Sequence, residues 1–323
     1  MTSSPRRRVR ANASEPVGGE RWWWRVALGL VLVLAAAACR TADAAPALMI
    51  GVGSTDEQRV LAALAAEALR RGDVPVEVRM DLGGTLGLRR QALADEIDLF
   101  WDYTGAAWAL GLREAAPPAD PVESWERVRE ADGPRGLRWL EPTNANATLA
   151  LFVRSEDLPA DAAQQDMGWL AGELSSGRRR LCADADFIAR DGGLRALAAE
   201  YGIDASRLPK RAADETEAVD AVRSGECFAG LATATSGDAR QAGLVPVDDE
   251  LQVFPAFLVS PVVRADSPAD DAAVVAALAG VTAAVDTATL AELNARAVDG
   301  EEPTAIAASF LSALERRTAT PAP

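Results

Sequence analysis

No histidine occurs anywhere in these 323 residues. Imidazole bases, Ser-His-Asp triads and His-ligated zinc sites are thereby excluded, and three cysteines are too few for a thiolate metal centre. The phosphate-cradling pattern GxxxxGK[ST] is also missing, and Gly83-Gly84-Thr85 reads as a turn before a helix. Neither a metal nor a cofactor is expected. Positive charge is short: 33 Lys and Arg face 48 Asp and Glu, a formal net charge of −15. Such a surface repels nucleic acid and anionic headgroups, so neither is an expected partner. Aromatic residues are only 5% of the chain, and no internal repeat is visible.

What is present begins with a basic arm, Arg6, Arg7, Arg8, Arg10, Arg21 and Arg25, followed by an apolar run from Val26 to Ala38 that ends at Cys39. The run is shorter than the roughly 20 residues that span a bilayer, so it reads as the core of a signal peptide over 1–38. The four residues before Cys39 are all Ala and the polar stretch RTADAA follows, a pattern similar to a bacterial lipobox. Cys39 is expected to become the lipidated first residue of a chain held on the outer face of the cell membrane, with 39–46 as tether; the alternative is ordinary cleavage with Cys39 incidental. Residues 1–38 hold six Arg and two Glu, so the mature chain carries a net charge near −19.

The remaining Cys182 and Cys227 form an even pair, which in an exported chain is either a disulfide or two buried thiols. A mature chain of roughly 280 residues, from a sequence 49% hydrophobic, can bury one large core or two moderate ones.

Periodicity supplies the elements. ALMIGVG (47–53) reads as a buried strand and TDEQRVLAALAAEALRRG (55–72) as a helix with an acidic first turn, a basic last turn and a Gly stop. VPVEVRMDL (74–82) alternates as a strand, TLGLRRQALADE (85–96) is helical and IDLFW is a short strand. This alternation is the α/β signature, and loops at the carboxyl edge of such a sheet are where ligands sit. A second α/β unit starts near Thr148: strands at 147–153, 178–185 and 227–234, helices at 192–202 and 215–226, then strand character in LVPVD and FPAFLVSPVVR (254–264). Helical periodicity resumes at 270–285, 289–300 and 303–317. Two units without a long linker suggest two lobes with a cleft between them.

Eight blocks in order, from Gly51 to about Leu311, resemble one family. They are GVGSTDEQRVLAAL, DLGGTLGLRRQAL, EIDLFWDYTGAAW, LEPTNANATLAL, DFIARDGGLRALAAEYG, AVRSGECFAGLATATSGDAR, LVPVDDELQVFPAFLVSPVVR and TLAELNARAVDGEEPTAIAASFL. Together they are similar to the OpuAC/ProX-type substrate-binding proteins of ABC importers for glycine betaine, carnitine, choline and related osmoprotectants. The resemblance implies a two-lobe periplasmic-binding-protein-like fold (type II), with the ligand cleft between lobes and two hinge crossings. Lobe 1 would comprise 47–146 plus 258–318, lobe 2 would comprise 147–257, and 319–323 would be a disordered tail. It further implies a monomeric, non-catalytic receptor, whose partners are a small quaternary amine and a permease driven by a cytoplasmic ATPase.

A quaternary ammonium offers no N–H, so proteins surround its diffuse charge with ring faces. By similarity, Trp101 falls at such a cage position and Thr104 at one that bonds a ligand carboxylate; Phe100, Tyr103 and Trp108 are assigned to core or support. The alternative for the cluster is an aromatic patch beneath the sheet edge. Arg190 matches a carboxylate-holding arginine, or else pairs on the surface with Asp186 or Glu200. Phe257 aligns with a cage Tyr, or is plain core. Ser54 and Thr55 face the cleft from a loop that looks shorter than the family's and lacks its Lys. Asn146 and Thr148 sit at the first crossing, reaching the ligand or capping a turn, while Asp238 is assigned a structural role. Leu149 and Thr233 stand where the family often has Tyr, and a cage short of two rings would bind trimethylammonium more weakly by roughly 1 to 4 kcal/mol.

Two other functions fit parts of the sequence. One is an envelope hydrolase working through Asp98 and Asp102 as paired carboxylates. The other is the same fold binding a different small amine or amino-acid-like solute for sensing.

Overall fold

The computed structural model describes residues 47–319 except 115, 116, 119, 162–164 and 271. The signal segment, Cys39 and the tether lie outside the described residues. So does the tail beyond Ala319, which itself ends the helix Pro303–Ala319.

Two five-stranded sheets form, each with helices on both faces. The first contains β1 (Leu48–Gly51), β2 (Val76–Arg79), β3 (Leu99–Tyr103), β4 (Leu137–Trp139) and β10 (Val259–Arg264), in the order β2-β1-β3-β10-β4. The second contains β5 (Leu149–Arg154), β6 (Leu181–Ala183), β7 (Lys210–Ala212), β8 (Ala229–Thr233) and β9 (Leu244–Pro246), in the order β7-β6-β8-β5-β9. In each, three parallel strands are followed by one antiparallel strand, β10 or β5. That antiparallel strand is the one entered from a crossing between lobes. The two lobes therefore share a topology that no sequence repeat announces.

Local chemistry explains the first βα unit. Thr55 caps the helix Asp56–Arg71 and forms a capping box with Gln58; Asp56 and Glu57 lie at its positive end, Arg70 and Arg71 at its negative end. Its apolar face, Val60, Leu61, Leu64, Ala65 and Leu69, is buried against the sheet. On the sheet's other face the helix Thr85–Leu93 sets Arg89 inside the core. Its guanidinium meets both carboxylate oxygens of Asp132 (2.7 and 2.5 Å), which also accepts Trp139 Nε1 at 2.8 Å. Pairing and hydrogen bonding are the conditions under which a charge is tolerated in a core.

The two crossings run side by side. Thr143 N donates to Val259 O (2.9 Å), Val259 N to Ala145 O (3.1 Å) and Ala147 N to Phe257 O (3.0 Å). Cys182 on β6 and Cys227 before β8 are joined as a disulfide, with Cα atoms 5.9 Å apart.

Candidate ligand-binding site

A cleft of about 1120 Å³ opens between the lobes at the carboxyl ends of β1 and β3. Lobe 1 contributes Ser54, Thr55, Glu57, Thr85, Tyr103 and Asn294; lobe 2 contributes Thr148, Leu149, Arg190, Glu215, Thr233 and Thr235; Phe257 stands on the second crossing. A second groove, about 690 Å³, lies between the helices Thr287–Val298 and Pro303–Ala319. Of its three arginines, Arg240, Arg296 and Arg317, the first two are engaged by Glu292 and Glu301, and all its lining residues except Arg240 come from the C-terminal helices. The cleft between lobes is the place where groups from both sheets meet.

β3 explains which ring faces the cleft. Strand side chains alternate, so Leu99, Trp101 and Tyr103 lie on one face of the sheet while Phe100 and Asp102 lie on the other. Trp101 is two residues short of the strand's carboxyl end and only 2% exposed, packed in the core beneath the Asp56–Arg71 helix. It does not line the cleft, which corrects its assignment as a cage ring. Tyr103, at the edge of the same face, does line it. Of the two rings on this face, Tyr103 and not Trp101 reaches the cleft.

Thr104 is also corrected. It is fully buried, and its hydroxyl donates to Ala256 O (3.3 Å) and accepts from Leu258 N (3.1 Å). That hydroxyl fastens the second crossing to lobe 1 and is not free to bond a carboxylate. Asn146 behaves alike: its Oδ1 accepts from Phe257 N at 2.7 Å and its backbone N–H donates to Thr287 Oγ1 at 3.0 Å, outside the cleft lining.

The other expected residues do reach the cleft. Thr148 lines it while donating to Pro255 O at 2.6 Å. Thr55 lines it with its hydroxyl committed to Gln58 N at 3.2 Å, and Ser54 is exposed beside it. Arg190 lines it, its guanidinium held by a 3.4 Å contact to Asp186 and lying over the Phe187 ring at 5.8 Å. Phe257 lies over Gly105, where an added Cβ would come within 2.5 Å of the ring. Leu149 and Thr233, directly paired across β5 and β8, line the lobe 2 wall where rings were expected. Asp238 sits at the rim and accepts from Thr216 Oγ1 at 3.3 Å.

Sequence reasoning passed over the acidic groups at the centre. Glu57 accepts from Tyr103 OH and Asn294 Nδ2, both at 2.7 Å. Burial raises its carboxyl above the usual carboxylate range, against the pull of Thr235, Tyr103 and Asn294, and the charge of Glu215 adds to the rise. Burial, then the Glu57 charge, pushes the Tyr103 phenol well up as well, so it stays a donor. Glu215 approaches from lobe 2, accepting Thr233 N at 3.2 Å and Thr233 Oγ1 at 3.3 Å. In sequence Glu57 looks like an ordinary acid in a helix first turn, and Glu215 looks the same. The signal that separates them from other acids is position: each opens the helix following a strand or crossing that ends at the cleft.

The two aspartates weighed for hydrolysis do not meet in the cleft. Asp98 pairs with Arg264 at 2.7 Å and accepts Met49 N at 2.9 Å. Asp102, on the opposite sheet face from Tyr103, accepts Thr85 Oγ1 at 2.8 Å and Tyr103 N at 3.0 Å. Burial raises its carboxyl from 3.8 to about 6, with Arg89 opposing.

Comparison with known proteins places this geometry. Residues 46–313 match the family described as the substrate binding domain of ABC-type glycine betaine transport systems, OpuAC. The chain is 30% identical over 280 residues, 83% of its length and 88% of the relative's, to the glycine-betaine-binding protein of Pseudomonas aeruginosa. It is 28% identical over 301 residues to the glycine betaine-binding protein YehZ of Escherichia coli K12, covering 87% of this chain and 94% of that one. Among solved structures, apo YehZ from Escherichia coli superposes with a TM-score of 0.74 at 27% identity, covering 83% of this chain and 98% of that chain. A glycine betaine/carnitine/choline ABC transporter structure gives the same TM-score at 20% identity, covering 82% and 97%, a likeness of fold.

Proposed function

The chain belongs to the family of substrate-binding domains of ABC-type glycine betaine transport systems, and from that premise we propose that its cleft captures a small quaternary amine of the glycine betaine, choline or carnitine class. Proteins of this family act outside the cytoplasm, bind a small solute for an ABC permease and are not enzymes. The fold is the type II two-lobe one expected for that work. Capture means closing two lobes about the solute, since ligand contacts to both select the closed state. At about 1120 Å³ the cleft is near the upper end of the roughly 300 to 1,000 Å³ typical of small-molecule sites.

The observation that carries the proposal is the pairing of ring faces with carboxylates in one cleft. Tyr103 and Phe257 supply two aromatic surfaces, and Glu57 and Glu215 line the same cleft. We further propose that Cys39 carries the lipid that keeps the receptor beside its permease.

Calorimetric titration with glycine betaine, choline and carnitine tests the proposal, alongside Phe257→Ala. Removing one ring face should weaken binding by about 2- to 30-fold, the equivalent of 0.5 to 2 kcal/mol. Absence of binding to all three solutes, or an unchanged affinity in the variant, would overturn the assignment.

A further inference from the structure

We infer that the cleft selects a net-cationic amine over a zwitterionic betaine, by holding the cationic head between Glu57 of lobe 1 and Glu215 of lobe 2; this rests on the solute-binding reading above.

Four acids line the cleft, Asp56, Glu57, Glu215 and Asp238, against two bases, Arg59 and Arg190. Arg59 is already occupied by Asp56 at 2.8 Å and Asp81 at 3.2 Å. A bound carboxylate would therefore have Arg190 alone to answer it, while a positive charge would find a surplus of carboxylate.

Acids are common on this chain, so their number alone decides little. A second observation comes from Asn294, 5% exposed in the cleft wall. Both its Nδ2 protons are used, one on Glu57 Oε2 at 2.7 Å and one on Thr235 O at 2.8 Å, and these two acceptors fix the amide's orientation. Its Oδ1 is left buried without a donor. Buried acceptors are almost always paired, and an unpaired one beside a carboxylate is suited to a polarised N–H or N–CH₃ group. The Thr235 hydroxyl, 1% exposed, is likewise outside hydrogen-bond geometry although it lies next to Glu57.

The lobes give this arrangement a mechanical sense. Glu57 and Glu215 belong to different lobes, and the charge of one bears on the other. Without a cation, closing brings like charges together. A cation between them turns that repulsion into attraction on both sides, so it acts as the counter-ion that completes the closed state. A zwitterion brings its own carboxylate into the same negative field and gains less.

The test uses three probes that share the trimethylammonium group: choline, glycine betaine and tetramethylammonium, titrated into the wild-type protein and Glu215→Gln. Gln keeps an acceptor for Thr233 and removes only the charge; Glu57→Gln is the second variant should the first fold poorly. Choline and tetramethylammonium should bind the wild type, choline more tightly than glycine betaine. Both cations should weaken about tenfold or more in Glu215→Gln, with glycine betaine changing much less. Glycine betaine binding with neither cation, or equal weakening of all three probes, overturns the charge-selection inference and leaves the receptor assignment standing. Binding of none overturns both.

Discussion

Asp102 offers a stability measurement whose sign and size follow from its burial. It is fully buried, and its carboxyl is raised from 3.8 to about 6. The native state therefore holds a proton on this group over a pH range in which the unfolded chain has released it. Stability from this linkage is fully present below pH 3.8 and is lost as pH rises through about 6. At about 1.4 kcal/mol per pH unit, the gap amounts to roughly 3 kcal/mol, lost between about pH 4 and pH 7. Asp102→Asn is neutral throughout and lacks that slope. Its changed hydrogen bonds to Thr85, Tyr103 and Arg89 shift its stability by a pH-independent offset, which subtracts out when the two proteins are compared across pH. Urea unfolding of both from pH 3.5 to 8 measures the comparison. The difference, wild type minus variant, should fall by roughly 3 kcal/mol across the range and then level off. Parallel profiles between pH 4 and 7 would refute the reasoning, since they would mean that the buried carboxyl titrates alike in both states.

Two more outcomes are expected from the hinge side of the molecule and from lobe 2. Gly105→Ala would set a methyl 2.5 Å from the Phe257 ring and 2.8 Å from Ala256 O; overpacking should cost about 1 to 3 kcal/mol of stability in urea unfolding, and unchanged stability would show that the ring can move aside freely. Replacing both Cys182 and Cys227 by Ala releases a link spanning 45 residues. Loop entropy sets the loss at about 4 kcal/mol in urea unfolding, and a loss under about 1 kcal/mol would mean that the unfolded lobe is already restricted.

Much of the framework was legible because hydrophobic period and caps agree. The Asp56–Arg71 helix, β3 and the three C-terminal helices are predicted from pattern, within a few residues of where they form. The helix Pro121–Asp132 carries a clear start signal in Asp120 and Pro121, but it buries only Ser124, Trp125, Val128 and Asp132. Its many exposed charges mask the period. FPAFLVSPVVR reads as one strand, yet only Val259–Arg264 joins the sheet. Pro255 to Leu258 instead bond to the first crossing and to Thr104, a partnership set by tertiary contact, while Phe254 N donates to Asp249. The site was less legible than the fold. Family similarity points to the aromatic segment correctly, but only a strand's two-residue period separates buried Trp101 from cleft-lining Tyr103. Thr104 and Asn146 have the right chemistry for a ligand and spend it on the backbone of the crossing. Glu57 and Glu215 gain meaning only when both lobes are assembled.

The paired crossings determine what kind of motion closure can be. Two strands laddered together from Thr143 to Thr148 and from Pro255 to Val259 form a ribbon, pinned at one end by the Thr104 hydroxyl and at the other by the bond from Thr148 to Pro255. A two-stranded ribbon bends across its flat face and twists about its length more readily than it bends within its plane. Sideways slip of one lobe past the other, which would bend the ribbon within its plane, is the movement this connection resists most. Phe257 belongs both to that ribbon and to the cleft wall, so a ring lining the cleft rides on the part that bends. A solute that touches this ring therefore touches the connection between the lobes directly, with no intervening layer of side chains to relay the contact.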